Sequence, residues 1–112
     1  MKVVKCNNNN VMLLLKEVEN VDDKVIKSNS VDAAFEKHVP VLEKKDTKVT
    51  VVVNHVMEED HYIEWIMVGY GDMQIIKHFK PGDEPKMEVD YREGMKAYSY
   101  CNKHGLWVNE LK

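Results

Sequence analysis

Turn-forming residues interrupt this chain so often that its apolar residues fall into short runs. The breaks lie at residues 7–10 (NNNN), 19–24 (ENVDDK), 43–46 (EKKD), 69–72 (GYGD), 80–85 (KPGDEP) and 91–94 (YREG). Between them stand segments rich in β-branched and aromatic residues, at 11–17, 48–53, 62–68, 73–79, 86–89 and 96–101, with a short one at 106–108. Such segments bounded by turn formers read as strands. Many short strands with turns between them predict an all-β fold, an antiparallel sandwich or barrel, and periodicity does not choose between the two. In 62–68, alternation puts Ile63, Trp65 and Met67 on one face and Tyr62, Glu64, Ile66 and Val68 on the other. Both faces carry apolar residues, so this strand is expected to be covered on both sides. The uninterrupted VTVVV at 49–53 also reads as central.

One segment departs from this pattern. In NSVDAAFEKH, Ser30 is expected to cap a short helical turn, with Asp32 in its first turn and Ala33 and Ala34 favouring it. The turn ends at His38, because Pro40 drives Val39 to an extended conformation. The first thirty residues, dense in polar turns, are expected to form an appended lobe or hairpin.

With 112 residues, 44% hydrophobic and 31% charged, the chain reads as one globular domain of modest core. A net charge of −3 with dispersed lysines argues against nucleic acid. No stretch reads as a signal peptide or membrane span, so a cytoplasmic location is expected. In reducing surroundings Cys6 and Cys101 are expected to remain free thiols.

The chemistry concentrates in the histidines. Of five, His38, His55, His61 and His104 fall at turns or strand ends, and Cys101 stands three residues before His104 at the end of a strand. Gly105 then lets the backbone turn sharply. C-x-x-H is a chelating spacing, yet alone it more often means a buried cysteine beside a surface histidine. H-x5-H across Glu58, Glu59 and Asp60 is weaker still, since acids of that kind commonly keep a loop solvated. Four histidines and a thiol on three punctuated segments carry more weight together. Structural zinc leans towards thiolates, whereas imidazole-rich ligation with one thiolate suits a redox metal at least as well. Iron comes first on these grounds, then zinc or copper. A blue-copper arrangement would draft Met57 or Met95 and leave two histidines without a role.

EKHVP, HVMEEDHYIEW and YCNKHGLW, together with FKPGDEP, resemble the catalytic domain of superoxide reductases, the desulfoferrodoxin and neelaredoxin group, continuously from about Ser30 to Trp107. The resemblance implies an immunoglobulin-like antiparallel β-sandwich with a short N-terminal extension. It also implies one mononuclear iron per chain, held by His38, His55, His61 and His104 in a plane and by axial Cys101. In that family the last histidine binds through the ring nitrogen nearer its backbone and the others through the far one. Glu36 becomes the carboxylate that occupies the sixth position of oxidised iron, and Lys37 the cation beside the open site. The implied reaction is one-electron reduction of superoxide, with uptake of two protons, to hydrogen peroxide. The implied partners are a small electron-donor protein, rubredoxin-like, and further copies of the chain, as a dimer or tetramer.

Two departures stand out. Val56 replaces the proline usual in the family's HPMEE motif, which removes no ligand. The second concerns VKCNNNN, which resembles the start of a small domain whose four cysteines hold a second iron; here only Cys6 remains, and one thiolate makes no such centre. Residues 1–29 are therefore expected to be a remnant without that centre, and residues 30–112 the catalytic domain. His78 matches no ligand position and is expected at a strand edge. Trp65 and Trp107, with Tyr98 and Tyr100, are expected to pack under the site. A blue-copper electron-transfer sandwich and a structural domain holding an inert metal are the competing classes. Copper absorbance without iron would mark the first, and loss of folding on chelation without turnover the second.

Overall fold

The structure, a computed structural model, describes residues 2–6, 10–15 and 24–111. In chain order these form β1 (Lys2–Lys5), β2 (Val11–Leu14), a one-turn helix α1 (Phe35–His38), β3 (Val41–Lys45), β4 (Lys48–Val52) and β5 (Ile63–Gly69). There follow β6 (Gln74–His78), β7 (Lys86–Asp90), β8 (Lys96–Cys101) and β9 (Gly105–Glu110). Most of the turns expected at 7–10 and 19–24 and the strand continuation at 16–17 lie outside the described residues.

Every strand pairing is antiparallel. One sheet has the order β3-β4-β7, a second the order β6-β5-β8-β9, and β1 pairs with β2 as a separate hairpin. The two larger sheets pack face to face as an immunoglobulin-like sandwich, which resolves the choice between sandwich and barrel. Alternation does the sorting. Val49 and Val51 of β4 and Met87 and Val89 of β7 point inward from one sheet; Ile66 and Val68 of β5 and Ala97 and Cys101 of β8 meet them from the other. The expected central strands are central: β4 lies between β3 and β7, and β5 between β6 and β8.

The outer face of β5 is covered as well. Val3, Val11 and Leu13 of the hairpin share with Trp65, Met67 and Ile76 the lining of a cavity of about 250 Å³, and Met67 is fully buried. A bridge from Val4 to Val25 and a bond from the Ile26 amide to the Val3 carbonyl tie the hairpin to the chain entering the sandwich. Of the appended lobe or hairpin that the sequence left open, the structure has a hairpin, whose first strand the turn pattern does not mark.

At the far edge of the second sheet, Asn29 stands in for a strand. Its amide donates to the Leu106 carbonyl, its side-chain nitrogen donates to the Val108 carbonyl, and the Val108 amide donates to its side-chain oxygen. Asn29 takes a left-handed conformation, φ 56°, to do so, a region asparagine tolerates better than most residues.

Several expectations need correction. β1 and β3 were not expected; the EKKD segment continues β3 through Lys45, and the turn falls instead at Asp46, φ 55°. The charged run misled because β3 is an edge strand whose Glu43, Lys44 and Lys45 face solvent. Ser30 does not cap α1: its hydroxyl donates to the Lys27 carbonyl, and the helix starts later, behind Ala34, with no side-chain cap. Its end at His38 is as expected, with Val39 extended before the proline. A bulge in β5 breaks the anticipated face assignment: Ile63 pairs with Cys101 and Trp65 with Tyr100, so Glu64 is the extra residue. Ile63 therefore joins Ile66 and Val68 in the core, not Trp65 and Met67.

The antiparallel order gathers one set of strand ends. Val41 pairs with Val52, Ile63 with Cys101 and Cys101 with Gly105, so the starts of β3, β5 and β9 and the ends of β4 and β8 lie together. Gly105 takes φ 80° in the β8–β9 turn, and a Cβ there would meet Val31 Cγ2 at 3.4 Å.

Truncation should separate core from edge. Ile66→Ala, at a position with 0% exposure, is expected to cost about 2–5 kcal/mol, whereas Ile75→Ala, 37% exposed on β6, should stay within about 0.5 kcal/mol. Denaturant midpoints of the two variants check this; equal losses would contradict the sheet order.

Candidate metal centre

Each of the converging strand ends carries a donor. His38 ends α1 just before β3, His55 and His61 lie in the β4–β5 connection, Cys101 closes β8, and His104 sits in the turn into β9. One donor atom from each of these five residues lies within 4.8 Å of all the others. Residues up to 66 positions apart thus meet at one point, and His38 Nε2 stands 3.0 Å from His104 Nδ1. Cys101 Sγ is 3.5 Å from His55 Nε2 and 3.9 Å from His104 Nδ1.

The main chain orients the rings. His38 Nδ1 donates to the Ala34 carbonyl at 2.6 Å, and His55 Nδ1 donates to the carbonyl of Val56. A neutral imidazole whose Nδ1 bears the proton must keep its lone pair on Nε2, so both rings aim lone pairs at the cluster. His104 presents Nδ1 instead. His61 Nε2 is buried and has no hydrogen-bond partner in the protein. Leaving such a nitrogen unsatisfied costs about 1–3 kcal/mol, a cost that coordination of a metal ion removes. Four imidazole nitrogens and one sulfur, converging, with His38 and Cys101 buried and one nitrogen of His61 orphaned, fit a soft-to-borderline transition metal.

Charge is tuned the same way. Burial lowers the His55 pKa, a hydrogen bond to the Val56 carbonyl opposes this, and the other three imidazoles lower it further. Burial pushes the Cys101 thiol up, while backbone amides of Lys103 and His104 pull it back towards the thiolate. The net effect is upward, and binding a metal through the sulfur requires the thiolate, so metal uptake at Cys101 is coupled to loss of its proton.

Packing beneath the site is aromatic on one side. Trp107, almost fully buried, stacks on His38 with centroids 5.0 Å apart, and its indole N–H donates to the His104 carbonyl at 3.0 Å. Phe35 meets the same indole edge-on. Trp107 is therefore where the sequence suggested. Trp65 and Tyr100 are not: they stack on each other, 5.5 Å apart, on the opposite face of the sheet. Ala97, Ser99 and Cys101 take the inward positions of β8, which turns Tyr98 and Tyr100 outward. His78 is exposed on the edge strand β6, as anticipated.

Glu36 and Lys37 are exposed on the same helical turn as His38, and neither belongs to the five-donor group. Met57 Sδ accepts a hydrogen bond from the Ile63 amide and Met95 is buried in the core, so both methionines are occupied elsewhere. Ser99 went unnoticed in the sequence. It is fully buried and its hydroxyl donates to the His38 carbonyl at 2.6 Å, fixing the backbone that carries that ligand candidate. Its only signal was a small polar residue inside an inward-facing apolar row.

Comparison with known proteins agrees with this geometry. The desulfoferrodoxin homolog of Archaeoglobus fulgidus is 47% identical over 88 residues, spanning 75% of this chain and 70% of that protein. A superoxide reductase of Thermococcus kodakarensis is 32% identical over 99 residues, spanning 68% and 86% respectively. The crystal structure of the superoxide reductase from Treponema pallidum superposes with a TM-score of 0.71 at 24% identity, covering 98% of this chain and all of that one, so the shared fold extends through the N-terminal hairpin. The Desulfoferrodoxin family profile matches residues 30–110, the whole sandwich with its five donors, and the chain belongs to the desulfoferrodoxin family.

Proposed function

We propose that this protein is a superoxide reductase, which reduces superoxide by one electron to hydrogen peroxide at a single non-haem iron. The observation that carries the reading is the convergence of His38, His55, His61, His104 and Cys101 within 4.8 Å, with a buried His61 nitrogen left unpartnered. These five residues would hold the metal. When bound, iron supplies a one-electron couple between its ferrous and ferric states. The remaining chemistry belongs to the chain.

Cys101 contributes the one anionic donor, and the amides of Lys103 and His104 stabilise its thiolate form. Lys37, exposed beside His38, offers a positive charge to an anionic substrate, and charge of this kind raises encounter rates. It is also the group we assign to hold a water that delivers a proton. Glu36, on the same turn, is assigned as the carboxylate that joins the site in the oxidised state. Trp107, stacked on His38 and bonded to the His104 carbonyl, closes one side of the cluster.

Residues 30–112 form the catalytic domain in this reading, and residues 1–29 a remnant without a second iron. The chain contains only two cysteines, and Cys6 in the hairpin is free, its thiol donating to Met12 Sδ at 3.3 Å. Electrons then reach the site from a separate small donor protein, rubredoxin-like, without relay through the hairpin. The protein acts as a cytoplasmic homodimer in detoxification of superoxide. No helix among the described residues is long and apolar enough to cross a membrane.

The first test is metal content with the visible spectrum. Protein purified without added metal should carry one iron per chain and, once oxidised, a thiolate-to-iron band that disappears in Cys101→Ser. Zinc or copper in its place under iron-sufficient expression, or a band that survives loss of Cys101, would sink the reading. Rapid mixing with superoxide supplies the second. Lys37→Ala should lower the second-order rate constant about tenfold and flatten its dependence on ionic strength. An unchanged rate would remove Lys37 from the path of the substrate.

A further inference from the structure

His61 differs from its neighbours in how it is held. His38 is fixed by the Ala34 carbonyl and by the Trp107 ring, and His55 by the Val56 carbonyl. The buried His61 Nε2 has no protein partner, and the ring's aromatic neighbours, His55 and His104, stand nearly perpendicular to it. Its position must therefore come from the main chain. On one side, His61 and Glu58 exchange a pair of backbone bonds, of 2.9 and 3.2 Å. On the other stands Asn102, in the turn that carries Cys101 and His104.

Asn102 grips both residues that flank His61. Its backbone amide donates to the Tyr62 carbonyl at 3.2 Å, and its side-chain oxygen accepts from the Tyr62 amide at 3.0 Å. Its side-chain nitrogen donates to the Asp60 carbonyl at 2.9 Å. The side-chain amide thus behaves as an extra peptide group, extending the β5–β8 ladder one step beyond the Ile63–Cys101 pair. Asn102 is itself exposed and fills no part of the core. Lys103 and Asp60 add an exposed ion pair of 3.7 Å across the same junction, a contact that contributes little.

We infer that Asn102 is a positioning residue for the metal centre: it locks the His61 loop to the Cys101–His104 turn, so that the ligand candidate without a ring hydrogen bond is placed by its neighbour's side chain. The inference rests on reading the five-donor group as a metal centre. It goes further in giving one exposed asparagine control of a single histidine. Residues that orient ligands commonly govern metal affinity by about 10- to 100-fold when replaced.

Cobalt(II) titration of the metal-free full chain tests this without any step of turnover. Asn102→Ala should weaken cobalt binding by about 10- to 100-fold and shift the ring nitrogen NMR signals of His61 in the metal-free protein, leaving those of His38 and His55 in place. Asn102→Asp keeps the acceptor for the Tyr62 amide and loses the donor to Asp60, so its loss should be smaller. Asn29→Ala is the matched control. It also removes two side-chain bonds to main chain, but on β9, and should lower the melting temperature without moving the His61 signals. Unchanged cobalt affinity in Asn102→Ala would overturn the inference. So would equal shifts of all four ligand histidines, or the same His61 response in Asn29→Ala. Wild-type protein that binds no cobalt would remove the metal centre and the inference with it. Normal cobalt binding with no reaction of the iron form with superoxide would instead refute the proposed activity and leave Asn102 its role.

Discussion

Because Ala97, Ser99 and Cys101 fall on one face of β8, that strand carries its inward row from the apolar core straight into the metal donors. A strand offers no choice here: successive side chains go to opposite faces, and Cys101 is inward because Ala97 is. Ser99, between them, takes hold of the His38 carbonyl. The Ile63–Cys101 pair brings the β4–β5 connection alongside, and the Cys101–Gly105 pair turns His104 back over the sulfur. The cluster is therefore an outcome of register. Slipping β8 by one residue would point its thiol at solvent and dissolve the group.

The second level of control is the protonation of the rings. An imidazole is a metal donor only through a nitrogen that carries no proton, and two main-chain carbonyls settle the matter by accepting from Nδ1 of His38 and His55. Neither carbonyl depends on a side chain, since they belong to Ala34 and Val56. At position 56 the group used is the carbonyl oxygen, which any residue there would supply. Burial of His55 acts in the same direction by disfavouring the imidazolium.

The sheet and the donor cluster were legible in the sequence for different reasons. The strands β4, β5, β7 and β8 were legible because β-branched runs ended at strong turn formers. β3 was hidden by Glu43, Lys44 and Lys45, whose charges belong to an exposed edge and resemble a loop in composition. The bulge at Glu64 left no trace in the pattern, because both faces of β5 are apolar and either phase looks acceptable. Ser30 looked like a cap, but its hydroxyl found a closer carbonyl, that of Lys27. The donors were visible because histidine and cysteine are few here and fall at the punctuation. What holds them was invisible. The carbonyl partners of His38 and His55 are local but depend on ring orientation, which composition does not show, and the Ser99 bond and the Asn102 grip depend on which groups meet across 40 or more residues.

Asn29 has a consequence for how the chain comes into being. A strand edge with free amides and carbonyls invites pairing with other chains until something covers it. β9 follows β8 in the chain, and the residue that bonds to its outer edge, Asn29, precedes Val108 by 79 positions. The cover has therefore left the ribosome long before the edge exists. When β9 adds to β8, Asn29 of the same chain is already available to bond to its free side, which leaves less of that edge open to other chains.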